Sequence, residues 1–374
     1  MGKAYTFCQL AKWEQGSDIL KSIMAAQNVI QQVAAIAQKL TSTPVPQELR
    51  DRAKARLERL SRVDSSAVFD ELEHLGNYID WITTLPWDKH SGDILDLEHA
   101  KAALDKNHFG LGDIKDRVLE FISVMKLNQQ KGLENKRLSR APILCFVGLV
   151  GTGKTTVAYS IAEALGRKIA RVPFGGMGGP LDLRGQSRVH PEAEPGQIIK
   201  ALRKVGTKNP VILLDEIDRV AEEGRSSIMG VLVELLDPDQ NSAFLDYYVD
   251  YPFNLSEVMF IATANNTTNI ATAVLDRLEV IHMPSYTDEE KIQVAKSYML
   301  PRVLGESGLP REVLVFQDEV WPMIVRPLGY DAGMRTLERT VEGVVRKIAR
   351  EYVEGKIRQV ALTPENIKQY LPLY

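Results

Sequence analysis

Gly148-Leu149-Val150-Gly151-Thr152-Gly153-Lys154-Thr155 matches the pattern G-x-x-x-x-G-K-[ST] in full. Such a loop lets consecutive backbone amides turn inward around phosphate oxygens, and the start of the following helix adds its positive end. Lys154 is then placed for the β- and γ-phosphates and Thr155 for a Mg2+ ion. Gly148, Gly151, Thr152, Gly153, Lys154, Thr155 and Thr156 are the candidate nucleotide-binding residues. The alternative is a tight strand-to-helix turn with no ligand. An apolar run before the motif and the helical pattern from Val157 to Leu165 after it supply the context a phosphate loop requires.

About sixty residues later the apolar run Val211-Ile212-Leu213-Leu214 leads directly into Asp215-Glu216. Two carboxylates at the C-terminal end of a buried strand lie on the edge where open α/β sheets bind ligands. Asp215 suits the metal shell, and Glu216 suits a base that orients an attacking water. Phe260-Ile261-Ala262-Thr263-Ala264-Asn265 is a second such strand, ending in an amide that can hold water, sense a γ-phosphate or simply make a turn. Arg277 precedes the last apolar run and Arg335 opens a long helical stretch. By residue type alone, either arginine reads as a surface ion pair.

Positioning these groups takes a parallel sheet. Ile143 to Val147, Ile169 to Val172, Val211 to Leu214, Val258 to Ala262 and Val280 to Met283 read as its buried strands, with helical segments between them. This predicts a doubly wound α/β domain, helices on both faces, followed from Asp288 to about Tyr370 by a small helical lid. Gln129 to Arg140 reads as an exposed loop. Upstream, Ile19, Ile23, Ala26, Ile30, Val33, Ala37 and Leu40 form a heptad seam that Pro44 and Pro46 end. Either a helix packed on its own domain or a coiled-coil arm between subunits fits that seam. Helices are also expected from about Gln47 to Ser61 and from Val68 until Pro86. The resulting division is 1–44 for the heptad helix, 45–88 for a helical neck, 89–285 for the nucleotide-binding domain and 286–374 for the lid.

A chain of 374 residues with net charge -3 advertises no global field for nucleic acid or an anionic membrane. Cys8 and Cys145 are far apart, and Cys145 falls in an apolar run, so no disulfide framework and a reducing compartment are expected. There is no signal-peptide pattern and no 18-residue apolar run, so a soluble protein is expected. Met1 to Thr6 fits the short myristoylation pattern, which arises often by chance.

The order of phosphate loop, Asp-Glu strand end, asparagine and two spaced arginines resembles that of AAA+ ATPases. Within them, Tyr78-Ile79-Asp80-Trp81, His108-Phe109-Gly110-Leu111, Gly206-Thr207-Lys208-Asn209-Pro210, Leu235-Leu236-Asp237-Pro238 and Gly333-Met334-Arg335-Thr336 resemble the Lon family from about Val45 onward. The resemblance implies ATP and Mg2+ as ligands and a ring homo-oligomer, usually hexameric. It implies roles for Asn265 as first sensor, Arg335 as second sensor and Arg277 as a finger reaching the neighbouring subunit's nucleotide. It further implies unfolded or damaged proteins as substrates and a cytoplasmic setting, with the mitochondrial matrix or peroxisome for organellar relatives. The family's serine-lysine peptidase and large N-terminal substrate domain have no counterpart in these residues, so peptidase activity is expected from a downstream or separate domain. Leu149-Val150 stand where the family has two prolines. Val189-His190-Pro191 stand where its substrate-gripping loop carries an aromatic-aliphatic pair, which puts threading in question. A nucleic-acid remodeller and a nucleotide-gated scaffold are the competing readings. The near-neutral charge weighs against the first.

Overall fold

A computed structural model describes residues 32–60, 68–131, 143–325 and 333–371. Their strands are β1 (Ile143–Val147), β2 (Ile169–Pro173), β3 (Val211–Asp215), β4 (Phe244–Asp246), β5 (Tyr251–Phe253), β6 (Met259–Ala264), β7 (Leu278–His282), β8 (Leu314–Phe316) and β9 (Val360–Leu362). The described chain divides into two compact units. One comprises the described residues up to His90 with Arg184–Lys208 and Leu245–Phe253, and the other comprises the rest.

The larger unit is built on a five-stranded sheet of order β2-β3-β6-β1-β7, every pairing parallel. Strand side chains alternate between faces. Leu144, Phe146, Val211, Leu213 and Ile261 therefore share one face. There they meet apolar positions of the helices Leu97–Asn107, Gly112–Gln130 and Lys154–Ala164, such as Leu104, Val118, Ile122, Val157 and Ile161. The alternate residues Cys145, Val147, Ile212, Leu214, Phe260 and Ala262 are buried as well, so the sheet is covered on both faces. This is the expected α/β architecture, with strand ends displaced by one or two residues from the apolar runs. Strand β6 runs on to Ala264, which brings Asn265 directly to its C-terminal end.

The C-terminal part of this unit has its own core around Trp321, Ile324, Leu337, Val341, Val344 and Ile348, with Phe316 stacked on Trp321 at 4.8 Å. The expected helical lid also carries a short two-stranded sheet. Strands β8 and β9 pair in parallel through Leu314↔Val360 and Phe316↔Leu362. Three-residue strands are too short for alternation to register in sequence. The helix Asp288–Val294 opens on a capping box between Thr287 and Glu290 and passes through a π turn, Ala295–Met299, into Leu300–Ser307.

In the smaller unit, the helices Gln47–Leu60 and Val68–Thr84 bury Leu49, Ala53, Leu57, Leu72, Leu75, Ile79 and Ile82. Trp87 packs on Phe253 at 5.0 Å, and its indole donates to the Ile82 carbonyl, which anchors the chain after Pro86. Arg203, on the helix Gln197–Val205, lies over the Trp81 ring at 4.0 Å and pairs with Asp80, which also takes Lys39. The hairpin of β4 and β5 was not expected from sequence. Asp246 accepts from the amides of Tyr248, Val249 and Gly196 within this unit. Residues 184–208 and 245–253, which the sequence division put inside the nucleotide-binding domain, cluster with this unit. Of the heptad helix, residues 32–42 are helical and Leu40 is buried. The seam from Ser17 through Ile30 and most of the loop expected at Gln129 to Arg140 lie outside the described residues.

Candidate nucleotide site

The phosphate loop connects β1 to the helix Lys154–Ala164, with Gly153 as the residue before the first helical turn. Gly151 and Gly153 have φ of 85° and 93°, backbone that side-chain-bearing residues avoid. At Gly148 the requirement is space. A Cβ there would lie 2.8 Å from the Met283 carbonyl oxygen. Thr152 is fully buried and its hydroxyl donates to the Leu149 carbonyl at 2.9 Å. Gly148 and Thr152 therefore shape the loop, while Gly151, Gly153, Lys154, Thr155 and Thr156 line a cavity of about 640 Å3.

Asp215, Glu216, Asn265 and Arg335 line the same cavity. Lys154 Nζ donates to the carbonyls of Gly148 and Leu149 and, at 3.1 Å, to Asn265 Oδ1. Burial lowers the Lys154 pKa, and the carboxylates of Asp218, Glu216 and Asp215 oppose that shift. With its oxygen taken by Lys154, Asn265 Nδ2 is buried with no hydrogen-bond partner among the described residues. An orphaned buried donor on a cavity wall is what an anionic ligand would satisfy. Thr155 Oγ1 lies 3.4 Å from Asp215 Oδ1, which juxtaposes two hard oxygen donors suited to Mg2+. No cluster of three or more His, Cys, Asp or Glu able to hold a metal occurs among the described residues. The donor set thus fits an ion that takes its remaining ligands from phosphate and water.

Glu216 follows the buried strand in left-handed backbone, φ 57°, and its amide donates to Thr263 Oγ1 at 2.9 Å. A non-glycine residue pays for that conformation only when its surroundings hold it. Here the same threonine also donates to Asp215, so Thr263 ties the two acidic residues together. Arg277 is the one catalytic candidate not brought to the cavity. It donates to the Ala273 carbonyl at 2.7 Å and pairs with Asp237 at 2.9 Å, which lowers the Asp237 pKa.

Several lining residues escaped sequence reasoning. Arg171 was legible as the lone charge in the apolar run of β2. Its Nε donates to Asp215 Oδ2 at 2.6 Å. His108 is buried against Ser160 Oγ at 2.9 Å, and burial depresses its pKa from 6.5 to about 4. Tyr286, Ser297, Tyr298 and Arg302 enter from the segment carrying the π turn, a distortion common at functional sites.

The lid closes one wall by direct contact with the loop. The Met334 amide donates to the Gly151 carbonyl at 3.0 Å, and a Cβ at Gly333 would lie 2.4 Å from the Val150 carbonyl oxygen. Arg335 is the first residue of the next helix and so arrives at the cavity by way of this contact.

Two family models match the chain. The one described as ATPase family associated with various cellular activities (AAA) covers residues 144–285, and the one described as Lon protease AAA+ ATPase lid domain covers residues 305–360. A Lon protease of Lawsonia intracellularis is 40% identical over 358 residues, 96% of this chain. The chain belongs to the Lon family. It is an AAA+ ATPase module of the Lon type, with nucleotide binding as the property its core carries. Lon protease 2 of Thermus thermophilus is 41% identical over 91% of the chain, and a Lon protease of Desulfosudis oleivorans 43% identical over 89%. The chain spans about two fifths of the length of these relatives, 42%, 43% and 40% respectively. No helix among the described residues is long and apolar enough to cross a membrane.

Proposed function

We propose that this Lon-type module binds ATP with Mg2+ in the cavity at Lys154 and hydrolyses it to drive the unfolding and translocation of protein substrates toward a peptidase domain. The observation that carries the reading is the convergence of Lys154, Thr155, Asp215, Glu216, Asn265 and Arg335 on one cavity, with the Asn265 amide nitrogen left for a ligand. Lys154 holds the β- and γ-phosphates, Thr155 and Asp215 hold the Mg2+, and Glu216 orients the attacking water from its fixed place at the strand end. The metal, when bound, neutralises charge developing on the phosphate oxygens. Asn265 bridges Lys154 and the γ-phosphate. Arg335 reports phosphate occupancy to the lid.

Arg277, held away from its own cavity by Asp237, suits the role of completing a neighbouring copy's site in a ring, a hexamer on the family pattern. In that assembly hydrolysis requires the oligomer. We place the module in the cytoplasm, with unfolded or damaged proteins as substrates. A Glu216→Gln chain that binds ATP without turning it over is the expected result, and unchanged turnover would remove the role of Glu216.

One observation favours a second reading, a nucleotide-gated scaffold. In the loop that stands where the family grips substrate, the Gln186 amide donates to the Glu194 carbonyl at 3.0 Å and His190 folds back onto the Ser187 carbonyl at 3.1 Å. The exposed apolar group of that turn is Val189, 86% accessible, followed by a histidine in place of a large apolar ring. ATPase rates that ignore added unfolded protein, together with nucleotide-dependent assembly, would favour the scaffold over the motor.

A further inference from the structure

Asp215 is almost fully buried, and both of its carboxylate oxygens are engaged by the chain itself. Oδ1 accepts from Thr263 and lies 3.4 Å from Thr155 Oγ1, while Oδ2 accepts from Arg171 Nε at 2.6 Å. The backbone produces this pairing. Strands β2 and β3 run in parallel with Pro173 opposite Asp215, and Arg171 is two residues earlier on the same face of β2. A carboxylate this buried needs charge compensation, and Arg171 supplies it.

The two partners differ in exposure in a way that matters. The Asp215 side chain is 5% accessible and that of Arg171 is 50%. The guanidinium can leave for solvent without being desolvated anywhere else, so the pair is one an incoming cation can break. The Lys154 ammonium hydrogen-bonds to two loop carbonyls and Asn265 and acts on Asp215 only through its charge, so Arg171 is the cation in direct contact with the carboxylate among the described residues. Arg171 itself lines the cavity, beside the oxygens a metal would use.

We propose that Arg171 is a built-in counter-ion for Asp215 whose charge, held on Oδ2, opposes a divalent cation arriving at Oδ1, so that this residue sets the Mg2+ concentration at which nucleotide binding tightens. The inference rests on the reading of the cavity as a Mg2+-nucleotide site. Arg171 acts here through Asp215, as a positioning residue. Because Asp215 and Thr155 alone offer few ligands, the cation competes with Arg171 only when phosphate oxygens are present to complete its shell. Metal and nucleotide should therefore enter as a coupled pair, with the coupling opposed by the arginine.

The test is equilibrium binding of a fluorescent ADP analogue, titrated with Mg2+ from chelator-treated conditions upward, in the wild-type chain, Arg171→Gln, Arg171→Met and Arg171→Lys. Hydrogen bonds to a charged group are strong enough that removing this one should lower the Mg2+ midpoint for tightened binding by about tenfold in the Gln and Met variants. Arg171→Lys, which keeps the charge, should stay near the wild-type midpoint. A midpoint in both neutral variants equal to or above that of wild type would overturn the proposal, since a merely structural arginine would weaken binding at every Mg2+ concentration. Failure of the wild-type chain to bind the analogue at any Mg2+ concentration would instead defeat the reading of the cavity.

Discussion

Gly333→Ala probes the joint between lid and phosphate loop. The added methyl would sit 2.4 Å from the Val150 carbonyl oxygen and 2.9 Å from the Gly151 Cα, both backbone atoms that cannot rotate away. Restoring ordinary contact requires the lid to withdraw by about 1 Å. That withdrawal breaks the hydrogen bond from the Met334 amide to the Gly151 carbonyl, worth about 1 kcal/mol net, and carries Arg335 away from the cavity. Overpacking strain of this kind runs to about 1–3 kcal/mol. The combined effect on a ligand held between loop and lid should be a roughly tenfold or greater rise in the Kd for ADP. Fluorescence anisotropy with a labelled ADP measures it directly. Gly355→Ala is the control, since Gly355 has φ 71° but open space around it. It should cost about 1 kcal/mol of stability and leave the Kd unchanged. An ADP affinity in Gly333→Ala equal to wild type would refute the claim that this contact delivers Arg335 to the ligand.

Three further outcomes are expected. Because burial holds the His108 pKa near 4 against 6.5 for an ordinary histidine, the unfolded chain takes up the proton first. Stability present above pH 6.5 is then lost as pH falls toward 4, by about 3 kcal/mol in all, and nucleotide-free thermal melts of His108→Gln should show a flatter profile over that window. Arg277→Ala should leave ADP affinity within about twofold of wild type while steady-state ATPase falls by about 100-fold or more, since the finger acts on a neighbour's nucleotide; a matching loss of affinity would place Arg277 in its own site instead. Val189→Asp should abolish stimulation of ATPase by unfolded protein if the turn at Val189 grips substrate, and stimulation that survives would move the grip elsewhere.

Much of the site could be read from residue order, because the chemistry constrains local sequence. A phosphate loop needs its glycines at fixed spacing, and acidic or amide groups at strand ends need an apolar run just before them. What escaped were groups whose role comes from pairing across strands. Thr263 looks like any strand threonine until the sheet order sets β6 beside β3 and its hydroxyl reaches Asp215. Arg171 gave a signal, a charge in an apolar run, whose meaning needed the β2–β3 register. The long strands were plain from apolar runs. The three-residue strands β8 and β9 and the hairpin of β4 and β5 were not, since so few residues cannot display a period. Residues 184–208 were assigned by sequence continuity, whereas their clustering follows contacts such as Arg203 over Trp81 and the Asp246 bond to the Gly196 amide.

The central claim, that this cavity binds and hydrolyses ATP with Glu216 orienting the water, is tested most directly by ATP binding and turnover measured side by side in the wild-type chain and Glu216→Gln under conditions that permit assembly. ATP affinity within about threefold of wild type and turnover reduced by at least about 100-fold are expected, in line with loss of a positioned general base. Turnover in Glu216→Gln equal to that of wild type, or loss of ATP binding along with turnover, would contradict it.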